Sequence, residues 1–469
     1  MERYYLAIDI GASSGRHMLG HIEDGKMVLE EIWRFENGMK DREGSLCWDL
    51  EALFEEIKTG MKRCKELGKI PVSMGIDTWA VDYVLLDEKD QVLGKTYGYR
   101  DGRTQGVDED VYKIISEEEL YSRTGIQKQS FNTIYQLMAV KKNNPEHLKA
   151  AKTFLMLPDY FHFLLTGQKY SEYTNATSTQ LVNAGTNDWD RELIERLGYP
   201  QEMFLPLSQP GTLVGSFTKE IEEEVGFSCE VVLPATHDTG SAVMAVPGEG
   251  DKNLYISSGT WSLMGIENKT AICTEESRKR NFTNEGGYEY RYRYLKNIMG
   301  LWMIQSVRKE LENKYSFAEL CAMASRRSDF PSRVDVNDPV FLAPDSMIRA
   351  IREMCAKTGQ LVPETPDELA AVVYESLSDS YRETAEEIEG LTGSHYNTIC
   401  IVGGGSNAEY LNRLTAKKSG RRVLAGPGEA TAIGNLMAQM IQKGEFDTLE
   451  QARRCVGTSF SIHEYMPEL

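Results

Sequence analysis

Nowhere in this chain do two cysteines stand at C-x-x-C spacing. Its 8 cysteines are scattered through 469 residues, which argues against a thiolate metal site and against the disulfide framework of a small secreted domain. Reduced thiols in a cytoplasmic protein are the expectation. Base is scarce too: 52 Lys and Arg against 71 Asp and Glu leave a net charge of −19, so the electrostatic footprint of a nucleic-acid binder is missing. No uninterrupted apolar run approaches membrane-spanning length, and the opening MERYYLAIDIG reads as a strand rather than a leader or an anchor. A Walker-A phosphate loop is also lacking. Gly94-Lys95-Thr96 imitates its tail, but Lys89 stands where the earlier glycine is required.

Two acidic turns are present instead. In DIGASSGR (Asp9 to Arg16) an apolar strand, Tyr5 to Ile10, ends at Gly11 and a Gly/Ser cluster, where the backbone turns tightly and can offer N–H groups to an anion. In HDTGS (His237 to Ser241) a short strand, Val231 to Leu233, leads into a helical stretch, Thr239 to Val246, which sets Asp238 at a helix start. Either turn alone would be an ordinary strand end. Together they supply amide donors for phosphates, hard oxygens for a metal, and a carboxylate to take an acceptor's proton.

The length suits two or three domains, and the turn cluster PGEGD (Pro247 to Asp251) is the best boundary, giving domains 1–246 and 247–469. After it, NLYISSGTWSLMGIENK repeats the opening YLAIDIGASSGRHMLGHIEDGK: strand, small polar turn, strand, charged turn. Ser257 falls where the first copy has Asp9, so only the first half carries the acid. Met74 to Asp87 reads as strand, and Leu50 to Gly68, Asn132 to Lys152, Pro366 to Thr392 and Ala408 to Ser419 read as helix. Two α/β halves are expected.

Other motifs carry less. GGGSNA (Gly403 to Ala408) has the outline of a dinucleotide fingerprint, but the following strand, RRVLAGP, ends without the acid that would hold a ribose. A glycine turn lying close to a flat group such as adenosine is preferred. KNIMGLWMIQ (Lys296 to Gln305) reads as an amphipathic helix, with Asn297 and Gln305 polar at its ends. Trp79 and Tyr83 are core aromatics or a stacking surface for a sugar. His17 and His21 share a strand face without a third ligand nearby, and are assigned no role.

DIGASSGR, GIDTWAVDYVLLD, YRDGR, TNATSTQL, ATHDTGSAV, YISSGTWSL, FTNEGG, LKNIMGLWMIQ and VGGGSN, in that order, resemble the FGGY carbohydrate kinases of the actin-like ATPase superfamily over nearly the whole chain. The resemblance implies an α/β fold of two actin-like (ribonuclease H-like) ATPase domains flanking a deep cleft, with sugar mostly against the first domain and ATP mostly against the second. It implies that Ala12, Ser13, Ser14, Gly15 and Arg16 cradle the phosphates, that Asp9 helps hold Mg²⁺, and that Thr260, Gln305, Gly403 and Gly404 contact ATP. Asp238 is then the catalytic base, while Ala80, His237, Thr239 and Asn297 meet the sugar. Ala80 stands where the family usually has Gly, and Gly240 where it often has Ala. The implied activity is phosphorylation of a ketose or polyol, with L-rhamnulose at O1 ahead of L-fuculose or D-xylulose. An actin-like ATPase switch is the alternative of another class. Sugar and ATP are the expected partners, without nucleic acid, membrane or an obligate protein.

Overall fold

In the computed structural model, which describes residues 2–248 and 252–467, strand β1 (Tyr4–Ile10) is buried along almost its whole length. It is central to a six-stranded sheet formed with β2 (Ser14–Glu23), β3 (Lys26–Glu36), β4 (Pro71–Thr78), β5 (Leu213–Ser216) and β6 (Glu230–Val232), in the order β5-β6-β4-β1-β2-β3. β1 pairs antiparallel with β2 and parallel with β4. A parallel core strand must bury both faces, which is why YYLAIDI is nearly continuous in apolar residues rather than alternating. Helix α1 (Leu50–Glu66) turns Leu53, Ile57, Met61 and Cys64 inward at helical spacing, and its N-cap Asp49 accepts from the Ala52 amide. These side chains join Leu6, Ile8, Ile76 and Leu233 in one core. A second core, including Ile134, Leu137, Phe154, Trp189 and Phe204, fills the long insertion between β4 and β5.

The chain divides into two compact units, neither contiguous in sequence: 1–245 with 267–294 and 431–459, and 246–266 with 295–430 and 460–469. The second unit contains β7 (Leu254–Ser258), all but the last two residues of β8 (Ser262–Asn268), β9 (Thr398–Val402), β10 (Arg422–Ala425) and β11 (His463–Tyr465), which neighbour one another in the order β8-β7-β9-β10-β11. Again the first strand pairs antiparallel with its hairpin partner and parallel with a later strand. Of the turn cluster at Pro247 to Asp251, Glu249, Gly250 and Asp251 lie outside the described residues.

Three expectations need correction. Asn132 to Lys152 is two helices, Thr133–Asn143 and Pro145–Ala150, because the proline starts a new helix rather than continuing the old one. Met74 to Asp87 is β4 followed by a separate strand, Tyr83–Leu86; between them Val81 takes φ +66°. Lys296 to Gln305 is not one helix: Asn297 and Ile298 end the strand Tyr292–Ile298, Gly300 turns at φ +61°, and helix α3 (Trp302–Glu310) follows. Among the described residues the cysteines form no disulfide. Among the described residues no helix is long and apolar enough to cross a membrane.

Candidate active site

The first unit gathers carboxylates at two neighbouring strand ends and a helix start. Asp9, the penultimate residue of β1, lies opposite Arg16 on β2 and level with Asp77 on β4. Arg16 donates to Asp9 Oδ2 from Nε at 3.0 Å and from Nη2 at 2.8 Å. Asp77 is fully buried. Its Oδ2 accepts from Asn435 Nδ2 at 2.6 Å, and among the described residues its Oδ1 has no hydrogen-bond partner. Burial and the adjacent Asp9, with Asp238 contributing less, push the Asp77 carboxyl well above its ordinary pKa, against the Asn435 hydrogen bond. Asn435 belongs to helix α4 (Ala430–Gln442), where Gln439 extends the polar chain to Ser73 Oγ and Leu6 O.

Asp238 opens the helix Asp238–Met244, with His237 as the N-cap. Its Oδ1 accepts from the Thr239 amide at 2.6 Å and from Thr239 Oγ1 at 3.2 Å. Burial, then the charge of Asp9, raises its pKa to about 7, yet 32% of the side chain is exposed, so the carboxylate is accessible to a ligand. The strand end before it is fixed from behind. Glu172 is fully buried and accepts from the amide and hydroxyl of both Thr174 and Thr236 and from the Asn175 amide. His237 Nδ1 is 3.0 Å from Arg293 Nη2, and Arg293 Nη1 is 2.9 Å from Glu285 Oε2.

The loop carrying Ala80 is tied down on both sides. The Val81 amide donates to Ser178 Oγ, and Thr133 Oγ1 donates to Val81 O, which accounts for a β-branched residue at positive φ. Asp82 is buried and accepts from the indoles of Trp48 and Trp79, the Tyr99 amide and Gln136 Nε2. Trp79 packs at a tilt of 34° on Trp48 with ring centroids 4.0 Å apart; its indole N–H is already used by Asp82, so its side chain can offer only ring surface. Tyr83 packs on Phe154 in the core.

The hairpin turn Gly11–Ser13 is braced by Asn37, whose Nδ2 donates to Gly11 O and whose amide donates to Ser13 O. The Gly11 amide closes the turn onto Ser14 O at 2.9 Å, so it does not face outward for an anion. A Cβ on Gly15 would fall 2.1 Å from Phe35 Cζ, so a side chain there would displace the Phe35 ring. Ala12 and Ser14 are partly exposed and Ser13 is exposed.

In the second unit Thr260 sits at the exposed tip of the β7–β8 turn, where its carbonyl accepts from the Trp302 amide. Gln305 follows in the first turn of α3, its amide donating to Leu301 O. Gly403 takes φ +82° with Ser258 O only 2.9 Å from where a Cβ would lie, whereas a Cβ on Gly404 would meet nothing within 4 Å. The glycine turn therefore has one packed face and one open face. Asn297 belongs to this unit as well.

Mg²⁺ fits the acids of the first unit. Among the described residues no three His, Cys, Asp or Glu side chains form a closed cage, but Mg²⁺ is ordinarily held by one or two carboxylates plus waters and phosphate oxygens. Asp9 and the unpartnered Asp77 Oδ1 supply that donor type. Sequence reasoning missed Asp77, although it ends an apolar strand just as Asp9 does. It also missed Glu172, Glu285, Arg293 and Asn435, whose partners are distant in sequence.

Residues 4–245 match the N-terminal domain of the FGGY family of carbohydrate kinases, and residues 254–442 match its C-terminal domain. The chain is 54% identical to a protein named rhamnulokinase from Halalkalibacterium halodurans, over 99% of this chain and 98% of that one. It is 50% identical to the rhamnulokinase of Oceanobacillus iheyensis over 99% and 98%, and 43% identical to that of Bacillus subtilis over 99% and 95%. A gluconate kinase from Lactobacillus acidophilus has the same fold, with TM-score 0.80 at 16% identity, covering 100% of this chain and 94% of that one. So does a glycerol kinase from Plasmodium falciparum solved with ADP, with TM-score 0.75 at 13% identity, covering 100% and 95%. The chain belongs to the FGGY family of carbohydrate kinases.

Proposed function

We propose that the protein transfers the γ-phosphoryl group of ATP to O1 of L-rhamnulose, giving L-rhamnulose 1-phosphate and ADP, a step of L-rhamnose catabolism in the cytoplasm. The observation that carries the substrate is the 54% identity, over 99% of the chain, to a protein named rhamnulokinase. The geometry supports the chemistry. Phosphoryl transfer passes through a loose transition state, so the protein's work is alignment and charge neutralisation. Asp238, partly exposed at a helix start, orients the O1 hydroxyl and takes its proton as the O1–P bond forms and the bond from Pγ to the β,γ-bridging oxygen breaks. Bound Mg²⁺ supplies positive charge to the phosphates, with Asp9 and Asp77 as its protein ligands. Arg16 and the turn at Ala12 to Gly15 border the phosphates. Thr260, Gln305, Gly403 and Gly404 hold the nucleotide, with the open face of Gly404 leaving room for a flat base.

His237, Thr239, Ala80 and Asn297 contact the sugar, and the Trp79 ring faces the C6 methyl. A methyl against an aromatic wall separates a 6-deoxy sugar from D-xylulose by about 1–3 kcal/mol. L-fuculose has the same methyl and differs in hydroxyl configuration, so the polar residues must discriminate it. A coupled ADP assay over L-rhamnulose, L-fuculose, D-xylulose and glycerol tests the substrate. The highest kcat/KM is expected for L-rhamnulose; a higher value for another sugar overturns that choice and leaves the family intact.

A further inference from the structure

We propose that Arg293 is a positioning residue: it fixes the tautomer of His237 so that the ring presents Nε2–H, beside Asp238, as a hydrogen-bond donor to a hydroxyl of the acceptor sugar. The inference rests on reading this site as a sugar-kinase site. A neutral imidazole has one donor nitrogen and one acceptor nitrogen, and the neighbour at one nitrogen decides the other. Arg293 Nη2 lies 3.0 Å from His237 Nδ1. A guanidinium has only donors, so Nδ1 must accept and the proton must reside on Nε2.

The arrangement around Arg293 leaves it no freedom to do otherwise. The side chain is fully buried; Nε donates to Gly286 O at 3.0 Å, and Nη1 faces Glu285 Oε2 at 2.9 Å. Glu285 would favour the opposite tautomer if it approached Nδ1 itself. It stands farther away, at 3.5 Å, and is engaged by the guanidinium. A second cationic charge on the ring is disfavoured, since burial and Arg293 both hold the His237 pKa well below its ordinary value.

On the other side of the ring, Nε2 is 3.6 Å from Asp238 Oδ1. That is too long for a hydrogen bond, so Asp238 does not consume the Nε2 proton. A hydroxyl oxygen within reach of both can accept from Nε2–H while its own proton points to the carboxylate. The tautomer set by Arg293 is the one that lets His237 and Asp238 act on one hydroxyl as donor and acceptor. With the other tautomer, two acceptors would face the sugar.

The test has two arms, both on the full chain. In protein labelled with ¹⁵N-histidine, the resonances lost in His237→Gln identify His237; the expected pattern is a protonated Nε2 and a bare Nδ1. A protonated Nδ1 in the wild type overturns the proposal whatever any variant does, and this readout does not depend on the substrate assignment. In the kinetic arm, Arg293→Met is combined with Glu285→Gln so that no buried charge is left unpaired. The KM for L-rhamnulose should rise about tenfold, the loss of roughly one hydrogen bond, while the KM for ATP stays unchanged. His237→Gln places an amide N–H where Nε2–H was, independent of Arg293, so the same pair of substitutions should change sugar KM little in that background. An equal rise in both backgrounds would assign Arg293 a merely structural role. Absence of any sugar-dependent turnover in the wild type would instead refute the kinase reading, leaving the tautomer measurement standing.

Discussion

The β1–β2 and β7–β8 hairpins have the same plan but opposite chemistry. Each opens its unit's sheet, turns through three residues starting with glycine (Gly11–Ser13 and Gly259–Trp261), and pairs its first strand in parallel with a later one. At the penultimate position of the first strand, Asp9 is flanked by Arg16 and Asp77, whereas Ser257 is flanked by Leu263 and Val402. One plan thus yields a charged strand end suited to a metal and phosphates, and a neutral one suited to an uncharged part of a ligand. The scaffold is duplicated while the chemistry depends on which side chains stand at its strand ends.

The largest effect is expected at Asp238, the carboxylate that opens a helix in the unit of the acid-bearing hairpin. Asp238→Asn should lower kcat by about 10²–10⁴-fold, because an amide fills the space but cannot take the proton, with both ligands still bound. Next, Asp9→Ser writes the second hairpin's residue into the first. It should lower kcat by about 10²–10³-fold and flatten the Mg²⁺ titration while sugar affinity holds; a wild-type Mg²⁺ curve would make Asp9 purely structural.

On the nucleotide side, Gly404→Val should weaken ATP binding about tenfold by calorimetry without lowering Tm, since nothing lies within 4 Å of its Cβ position. Gly403→Val should instead cost about 1–3 kcal/mol of stability, because it forces a β-branched residue to φ +82° against Ser258 O. Equal loss of ATP and sugar binding in the Gly404 variant would indicate misfolding.

A pH-dependent effect on stability alone is expected away from both hairpins. Burial pushes the Asp82 carboxyl up from 3.8 to about 6, against four donors. The folded state therefore binds this proton more tightly than the unfolded chain does, and the stabilisation is full below the unfolded value and lost as pH rises through about 6. In urea unfolding, the advantage of wild type over Asp82→Asn should be largest in acid and shrink by no more than about 3 kcal/mol toward neutral pH.

Local features of the fold were legible: both hairpins, Asp238 at a helix start, and the helix Pro366–Thr392, which begins at proline and ends before Gly393 in the left-handed region. Where one apolar rhythm ran across two elements the reading failed. In Lys296 to Gln305 the spacing of Ile298, Leu301, Trp302 and Ile304 mimics a helix, but a strand end and a Gly300 turn occupy the first half. The positions of the candidate carboxylates were legible where a motif sets one at a strand end, as with Asp9, or at a helix start, as with Asp238. The rest of the candidate site was not legible, because it depends on burial and distant partners: Arg293 lies 56 residues from His237 and Asn435 lies 358 from Asp77. In the alternating run Tyr290-Arg291-Tyr292-Arg293-Tyr294 nothing local marks Arg293 rather than Arg291 as the fully buried one.

The most direct test of phosphoryl transfer at the acid-bearing strand ends is ADP release from Mg²⁺ATP, measured with and without L-rhamnulose in the wild type and in Asp238→Asn. The expected result is ADP formation that requires the sugar in the wild type, and is nearly abolished in the variant although calorimetry shows both ligands binding. ADP released at the same rate without sugar, or undiminished in Asp238→Asn, would contradict it and favour a nucleotide switch over a kinase.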